Sequence, residues 1–278
     1  MTYREIYESA EKKLENAGIN DSKTDARLLL EHVFSVDRNH LYLHPDEECD
    51  EKKAELYEEL VNKRASHIPL QHLTGKADFM GLEFIVNKHV LIPRFDTECV
   101  VEEAMLLITD GMKVLDMCTG SGCILISLMK YKNDIEGFGA DISEEALAVA
   151  KKNAELNGVS ARFIKSDLFT DIGNERFDAV ISNPPYIKSS EIPGLMEEVR
   201  DHDPLIALDG HEDGLYFYRE ISRQALSHLM TGGKLIFEIG CDQGEAVSSI
   251  LSDNGYKHIK VLKDLSGNDR VVTCEKGL

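Results

Sequence analysis

Through residues 1 to about 67 the apolar positions recur at intervals of three and four, with no alternating stretch that would mark a strand. Ile6, Ala10, Leu14 and Ala17 share one face of a first helix, which Asn16 and Gly18 stop. The same period predicts a second helix from about Thr24 to Val36. A third runs from about Asp46 to His67, with Ala54, Tyr57, Val61 and Ala65 inward. The rhythm changes at Ile68. Phe79 to Val86 is rich in strand formers around a glycine, so residues 76–92 read as a hairpin. From Lys113 on, short β-rich runs alternate with helical segments, the mark of βαβ units and a parallel sheet. Strands are predicted at 112–116, 135–140, 161–165, 177–182, 234–239, 257–262 and 270–275. Only a polar turn around Gly267 separates the last two, which makes them an antiparallel pair. The fold class is therefore α/β, with a small helical bundle over residues 1–75, a hairpin linker over 76–92 and a larger domain over 93–278.

Composition narrows the function classes. The 278 residues are 42% hydrophobic, enough for a globular core. A formal charge of -19 works against a surface that tracks phosphates, because repulsion must be overcome before any specific contact forms. The six cysteines, Cys49, Cys99, Cys118, Cys123, Cys241 and Cys274, contain no CxxC pair and no zinc spacing with the ten histidines, so no metal is expected. The N-terminal stretch is charged from its fourth residue, unlike a secretory signal. Apolar runs such as 124–129 fall far short of the about 20 residues needed to cross a bilayer. A cytoplasmic monomer that touches no membrane is expected. Glu47, Glu48, Asp50 and Glu51, near the predicted third helix, can meet a basic partner or simply be a solvated face that complements the helix dipole.

Two stretches carry chemistry. Val114 to Gly122 is a strand feeding a tight turn, Cys118-Thr119-Gly120-Ser121-Gly122, ahead of an apolar helix. Glycines there let the backbone pass close to a ligand, and the helix start presents unpaired N–H groups. Asp141 ends the next strand about 20 residues later, where a carboxylate binds a ribose diol. After the third strand, Asp167 is placed to accept from an adenine amine, with Leu168 against the ring. A dinucleotide fingerprint would carry a third glycine, which this turn lacks, so an adenosyl ligand without a pyrophosphate is favoured.

The second stretch, Asn183-Pro184-Pro185-Tyr186, sits at the carboxyl end of an apolar strand, where open α/β sheets bind ligands. The prolines hold the chain extended and donate nothing, so the Pro184 carbonyl is free to accept, as is the Asn183 side-chain oxygen. With the flat ring of Tyr186, two fixed acceptors form a socket for a conjugated NH2. Gripping both hydrogens draws that nitrogen toward tetrahedral geometry and aims its lone pair at an incoming methyl group. Asn183, Pro184 and Tyr186 are the catalytic candidates. A rigid strand-ending turn and, for Tyr186, ordinary core packing are the plainer alternatives.

These stretches, together with Pro69 to Gly75, Leu91 to Glu98, Val199 to Pro204, Ala207 to Gly210 and Glu212 to Leu215, resemble the HemK/PrmC-type glutamine methyltransferases that modify peptide chain release factors. The similarity covers essentially the whole chain. It implies a helical bundle, a hairpin and a class I, Rossmann-like methyltransferase domain with a seven-stranded mixed sheet. It also implies methylation, with S-adenosylmethionine, of the side-chain amide nitrogen of glutamine in a Gly-Gly-Gln loop. By the same resemblance, Cys118 to Gly122, Asp141, Asp167, Leu168 and Asn183 are cofactor positions, and Asn183 to Tyr186 the glutamine site. Two positions depart from the family pattern: Cys118 stands where glycine is usual, and Phe95-Asp96 where Pro-Glu is usual. A positive φ at 118 would strain a cysteine. Two other functions use the same parts: an adenine N6-methyltransferase acting on nucleic acid, which the acidic charge disfavours, and a non-catalytic adaptor.

Overall fold

The computed structural model describes residues 1–277, which divide into two compact units. The first comprises Met1–Lys76 and Met196–His202, and the second Ala77–Leu195 with the chain from Asp203 onward.

In the first unit, helices α1 (Tyr3–Asn16), α2 (Ser22–Phe34) and α4 (Glu51–Ala65) pack around Leu14, Leu29, Leu30 and Tyr57. Short helices α3 (Arg38–Leu43) and α5 (Leu70–Thr74), too brief for the periodic pattern to reveal, complete it. A reciprocal capping box starts α1, Glu5 N–H donating to the Thr2 hydroxyl while the Glu5 carboxylate accepts from Thr2 N–H. Asp50 caps α4 by accepting from Lys53 N–H, so one of the acids at its start serves the helix itself. The helix begins at Glu51, five residues later than its periodicity suggested. Arg64 occupies a core-facing position, 5% exposed. It is tolerated because its guanidinium donates to Asp25 and Glu198, both at 2.6 Å, and to the Ile68 carbonyl.

Next along the chain come the hairpin strands β1 (Lys76–Phe79, its first residue counted with the first unit) and β2 (Leu82–Ile85), then α6 (Glu98–Leu107). The main sheet alternates β3 (Lys113–Met117), α7 (Cys123–Tyr131), β4 (Glu136–Asp141), α8 (Glu144–Asn157), β5 (Arg162–Lys165) and β6 (Phe177–Ser182). There follow α9 (Glu197–His202, part of the first unit), α10 (Tyr216–His228), β7 (Leu229–Glu238), α11 (Gly244–Asp253), β8 (Lys257–Lys263) and β9 (Asp269–Glu275). All seven predicted strands of this sheet are present, in the order β5-β4-β3-β6-β7-β9-β8. β8 and β9 pair antiparallel as expected, and β9 runs antiparallel to β7. β7 starts five residues before its predicted edge, because Leu229 pairs with Phe177 across an irregularity.

Apolar clusters cover both sheet faces. One joins Phe138, Val180 and Phe237 to Tyr218 and Ile221 of α10 and Val247 of α11; the other joins Val114, Ile181 and Ile236 to α6 and α7. The strand order reverses between β3 and β6, and Met117 is the register partner of both Ala140 and Ser182. The turns that begin at Cys118, Asp141 and Asn183 therefore emerge side by side at one sheet edge.

Asn153, fully buried on α8, ties the hairpin to this edge. Its Oδ1 accepts from Ile85 N–H at 2.6 Å, and its Nδ2 donates to the carbonyls of Ile85 and Ser121 at 3.0 and 2.9 Å. Asn153→Leu removes these three hydrogen bonds, and leaving buried backbone polar groups short of a partner costs about 1–3 kcal/mol each. We expect the variant to lose at least about 3 kcal/mol in reversible urea unfolding.

Candidate active site

Between Met117 and Cys123 the backbone alternates into the left-handed region, with φ of 63° at Cys118, 54° at Gly120 and 80° at Gly122. The positive φ that would strain a cysteine is thus present at 118, at a cost of roughly 1–2 kcal/mol relative to glycine. Three carboxyl or carboxamide groups hold the turn. Asp116, 1% exposed, accepts from the Thr119 hydroxyl at 2.6 Å. Asp141 accepts from Gly120 N–H through Oδ2 and from Ser143 N–H through Oδ1, both at 2.9 Å. Asn153 holds the Ser121 carbonyl. Ser143 caps α8, accepting from Ala146 N–H.

Burial governs the ionisation of both acids. It pushes Asp116 up to about 7, against the pull of the Thr119 hydroxyl and the Leu125 N–H. It also raises Asp141, against backbone N–H groups of Ser143, Gly120 and Ile142. Each carboxylate oxygen can accept twice, so Asp141 keeps acceptor capacity for a ligand beside these backbone bonds.

The turn walls a cavity of about 350 Å³, at the lower end of the roughly 300–1,000 Å³ common for small-molecule sites. Cys118, Thr119, Gly120, Ser121, Asp141, Asp167, Leu168, Asn183 and Pro185 line it. Asp167 is exposed beside buried Leu168, whose φ of 48° is fixed by the Ser166 hydroxyl donating to the Leu168 carbonyl. Gly122, Pro184 and Tyr186 do not line it. Gly122 instead lets α7 lie against α8, since a Cβ there would meet Ile126 Cδ1 at 2.8 Å and Ala150 Cβ at 3.3 Å. Pro184 is buried in the backbone that leads to the Pro185 wall. Tyr186 turns inward against the core, its hydroxyl 3.4 Å from Glu238 Oε1. Close backbone passage of Gly210 and Gly214 over Tyr186, too tight for a Cβ at either glycine, holds it there.

Asn183 Nδ2 donates to the Thr97 hydroxyl at 3.3 Å, leaving Oδ1 as the free acceptor of the side chain. Further walls come from loops that carry no chemical motif. His89, Val90, Leu91, Pro93, Arg94 and Thr97 follow the hairpin, and Pro204, Ile206, His211, Tyr216 and Phe217 precede or begin α10. Arg94 pairs with Asp203, and the ring of His211 meets Tyr216 edge-on at 4.5 Å. The blocks at 91–98, 199–204, 207–210 and 212–215 were the sequence signal for these walls. Among the described residues no group of His, Cys, Asp and Glu can hold a metal ion, and no helix is long and apolar enough to cross a membrane.

Comparison with known proteins agrees with this architecture. Residues 5–75 match the family model of the PrmC N-terminal domain, and residues 96–199 that of the methyltransferase small domain. A Clostridium acetobutylicum protein named release factor glutamine methyltransferase is 41% identical over 259 residues, 91% of each chain. A Geobacter sulfurreducens protein of the same name is 37% identical over 271 residues, covering 98% of this chain and 95% of its own. A solved methyltransferase from Pyrococcus furiosus aligns with a TM-score of 0.56 at 20% identity, over 78% of this chain and all of the other. At that identity the likeness concerns the fold, which is a methyltransferase fold.

Two outcomes test this geometry. Gly122→Ala adds a methyl group at positive φ and against Ile126, and we expect a loss of about 2 kcal/mol, seen as a melting temperature lowered by several degrees. Asp116→Asn keeps both hydrogen bonds, with Oδ1 accepting from Leu125 and Nδ2 donating to Thr119, but does not titrate. Because the folded-state pKa of Asp116 is raised, its stabilising contribution is complete at low pH and lost as pH rises toward about 7. The melting temperature of the Asn variant should therefore gain on that of the unaltered protein between pH 5 and pH 8.

Proposed function

The chain belongs to the release factor glutamine methyltransferase family, and on that premise we propose that it transfers a methyl group from S-adenosylmethionine to the side-chain amide nitrogen of the glutamine in a release factor Gly-Gly-Gln loop. The observation that carries the reading is the orientation of Asn183. With its NH2 given to Thr97, it offers an oxygen at the mouth of β6, beside the turn at 118–122.

The donor set fits an adenosyl ligand. Asp141 retains acceptor sites for the two ribose hydroxyls, Leu168 offers an apolar wall to the base, and exposed Asp167 is placed to accept from its amine. Arg94, the one arginine among the described residues that line the cavity, is already paired with Asp203 and so is not free for a pyrophosphate. When bound, S-adenosylmethionine supplies a methyl group activated by the adjoining sulfonium, which leaves as a neutral thioether.

The protein's own work is positioning. Asn183 Oδ1 and the Pro184 carbonyl each accept one N–H of the substrate carboxamide, holding its nitrogen out of conjugation with the lone pair directed along the methyl–sulfur axis. Pro185 walls the pocket, while Tyr186 stiffens the motif from behind. No strong base is needed, since the nitrogen sheds its proton readily once alkylated. Helical residues 1–75 serve acceptor recognition, and 93–278 the transfer. Adenine would present a similar NH2 to the same oxygens, but the charge of -19 opposes nucleic acid.

Labelled cofactor offered with a release factor and duplex DNA should mark one glutamine of the release factor and no DNA. Asn183→Ala should lower the rate about 100-fold, by analogy with loss of one preorganised hydrogen-bonding group. Label in the DNA would overturn the reading.

A further inference from the structure

Behind the Asn183 socket lies a carboxylate that the transfer chemistry does not call for. Glu238, at the carboxyl end of β7, is 2% exposed, and Thr97, 2% exposed, stands between it and Asn183. Tyr186 donates to Glu238 Oε1 at 3.4 Å, so both ends of the Asn-Pro-Pro-Tyr motif converge on the same acid. The Tyr218 hydroxyl donates to the Glu238 backbone carbonyl at 2.9 Å, fixing the strand from which the side chain projects. No donor meets Oε2 at regular hydrogen-bond geometry, although the Thr97 hydroxyl favours the charged form. A buried carboxylate with an underused oxygen costs free energy, and sites that retain one gain something from it.

We propose that Glu238 is a positioning residue that sets the direction of the hydrogen bonds running to Asn183, and through them which atom of Asn183 faces the substrate. An ionised carboxylate only accepts. The Thr97 hydroxyl must then give its single proton toward Glu238, which leaves its lone pair to accept from Asn183 Nδ2, and Oδ1 is turned to the substrate. A neutral Glu238 can instead donate to Thr97. The hydroxyl proton is then free to go to Asn183 Oδ1, the carboxamide rotates by half a turn, and an NH2 faces the substrate NH2 with nothing to accept its hydrogen.

The surroundings poise the acid between these states. Burial pushes its pKa up to about 7, opposed by the Thr97 hydroxyl, the Arg270 guanidinium and the Tyr186 hydroxyl, and reinforced by Asp96. Tyr218 on α10 and Cys123 on α7 also face it. Arg270 on β9 is itself shared, 3.1 Å from Asp96 and 3.2 Å from Asp264, so its charge is not given to Glu238 alone. The working form is the charged one, and transfer should rise with pH through neutrality.

This inference rests on the glutamine reading, and the test separates the two. At saturating cofactor and acceptor, kcat of the unaltered protein should climb between pH 6 and pH 8. Glu238→Gln should flatten that rise, whereas Asp116→Asn, which removes the other buried acid near neutrality, should keep it. Thr97→Val, which cuts the relay, should lower kcat between about 10- and 100-fold with the calorimetric affinity for S-adenosylhomocysteine kept within about threefold, and Thr97→Ser should restore most of the rate. Without any turnover, the Asn183 side-chain amide signals in a nitrogen-15 spectrum should shift with a midpoint near neutrality in the unaltered protein and not in Glu238→Gln. A rise that survives in Glu238→Gln, a Thr97→Val rate within twofold of normal, or Asn183 signals indifferent to pH would each overturn the role of Glu238. An unaltered protein that leaves the release factor unmethylated overturns the glutamine reading instead, while the amide signals still decide whether Glu238 orients Asn183.

Discussion

The site depends on how the chain reverses between Met117 and Cys123. Three residues there take left-handed φ, a conformation that exposes successive backbone N–H and C=O groups and would not hold by itself. Asp141 and Asn153 supply partners for Gly120 N–H and the Ser121 carbonyl, and Asp116 holds the Thr119 hydroxyl, from three different elements, the end of β4, α8 and β3. The turn is therefore a product of tertiary structure as much as of its glycines. Parallel pairing of β3 with β6 registers it against Asn183, since Met117 and Ser182 are partners across the two strands.

Economy of groups follows from that crowding. Asp141 ends a strand, grips the turn and steadies the start of α8, and with two oxygens it still has lone pairs to offer. Its burial makes the charge expensive, which is why backbone N–H groups gather around it. Glu238 shows the same pressure without the same relief, an incompletely satisfied buried acid close behind Tyr186 and Thr97.

Much of this was legible along the chain because the signals are local. Strand runs, the glycine turn and the acid that ends β4 lie within a few residues of the features that define them. Hydrophobic patterning located all seven strands of the main sheet, to within one residue at each edge except at β7, whose first five residues it missed. Tyr186 was read as a wall of the pocket, but whether a ring points outward depends on Gly210 and Gly214, more than twenty residues away. Thr97, His211 and Tyr216 bear on the cavity through loops whose course no periodicity encodes. Nothing within the strand at 234–239 singles out Glu238, and nothing near Arg64 in the chain points to its partner at 198. Residues whose role comes from a distant neighbour stay silent in a linear reading.

Arg64 carries a wider consequence. One of its two carboxylates, Glu198, comes from a seven-residue excursion far along the chain, Met196–His202, that is counted with the helical unit. No single cut separates the two units: a fragment ending near residue 75 would keep the arginine and discard half of its neutralisation. Recombining such proteins by exchange of their first 75 residues would sever a partnership made in three dimensions, so a working chimera must carry the distant heptapeptide along with its helices.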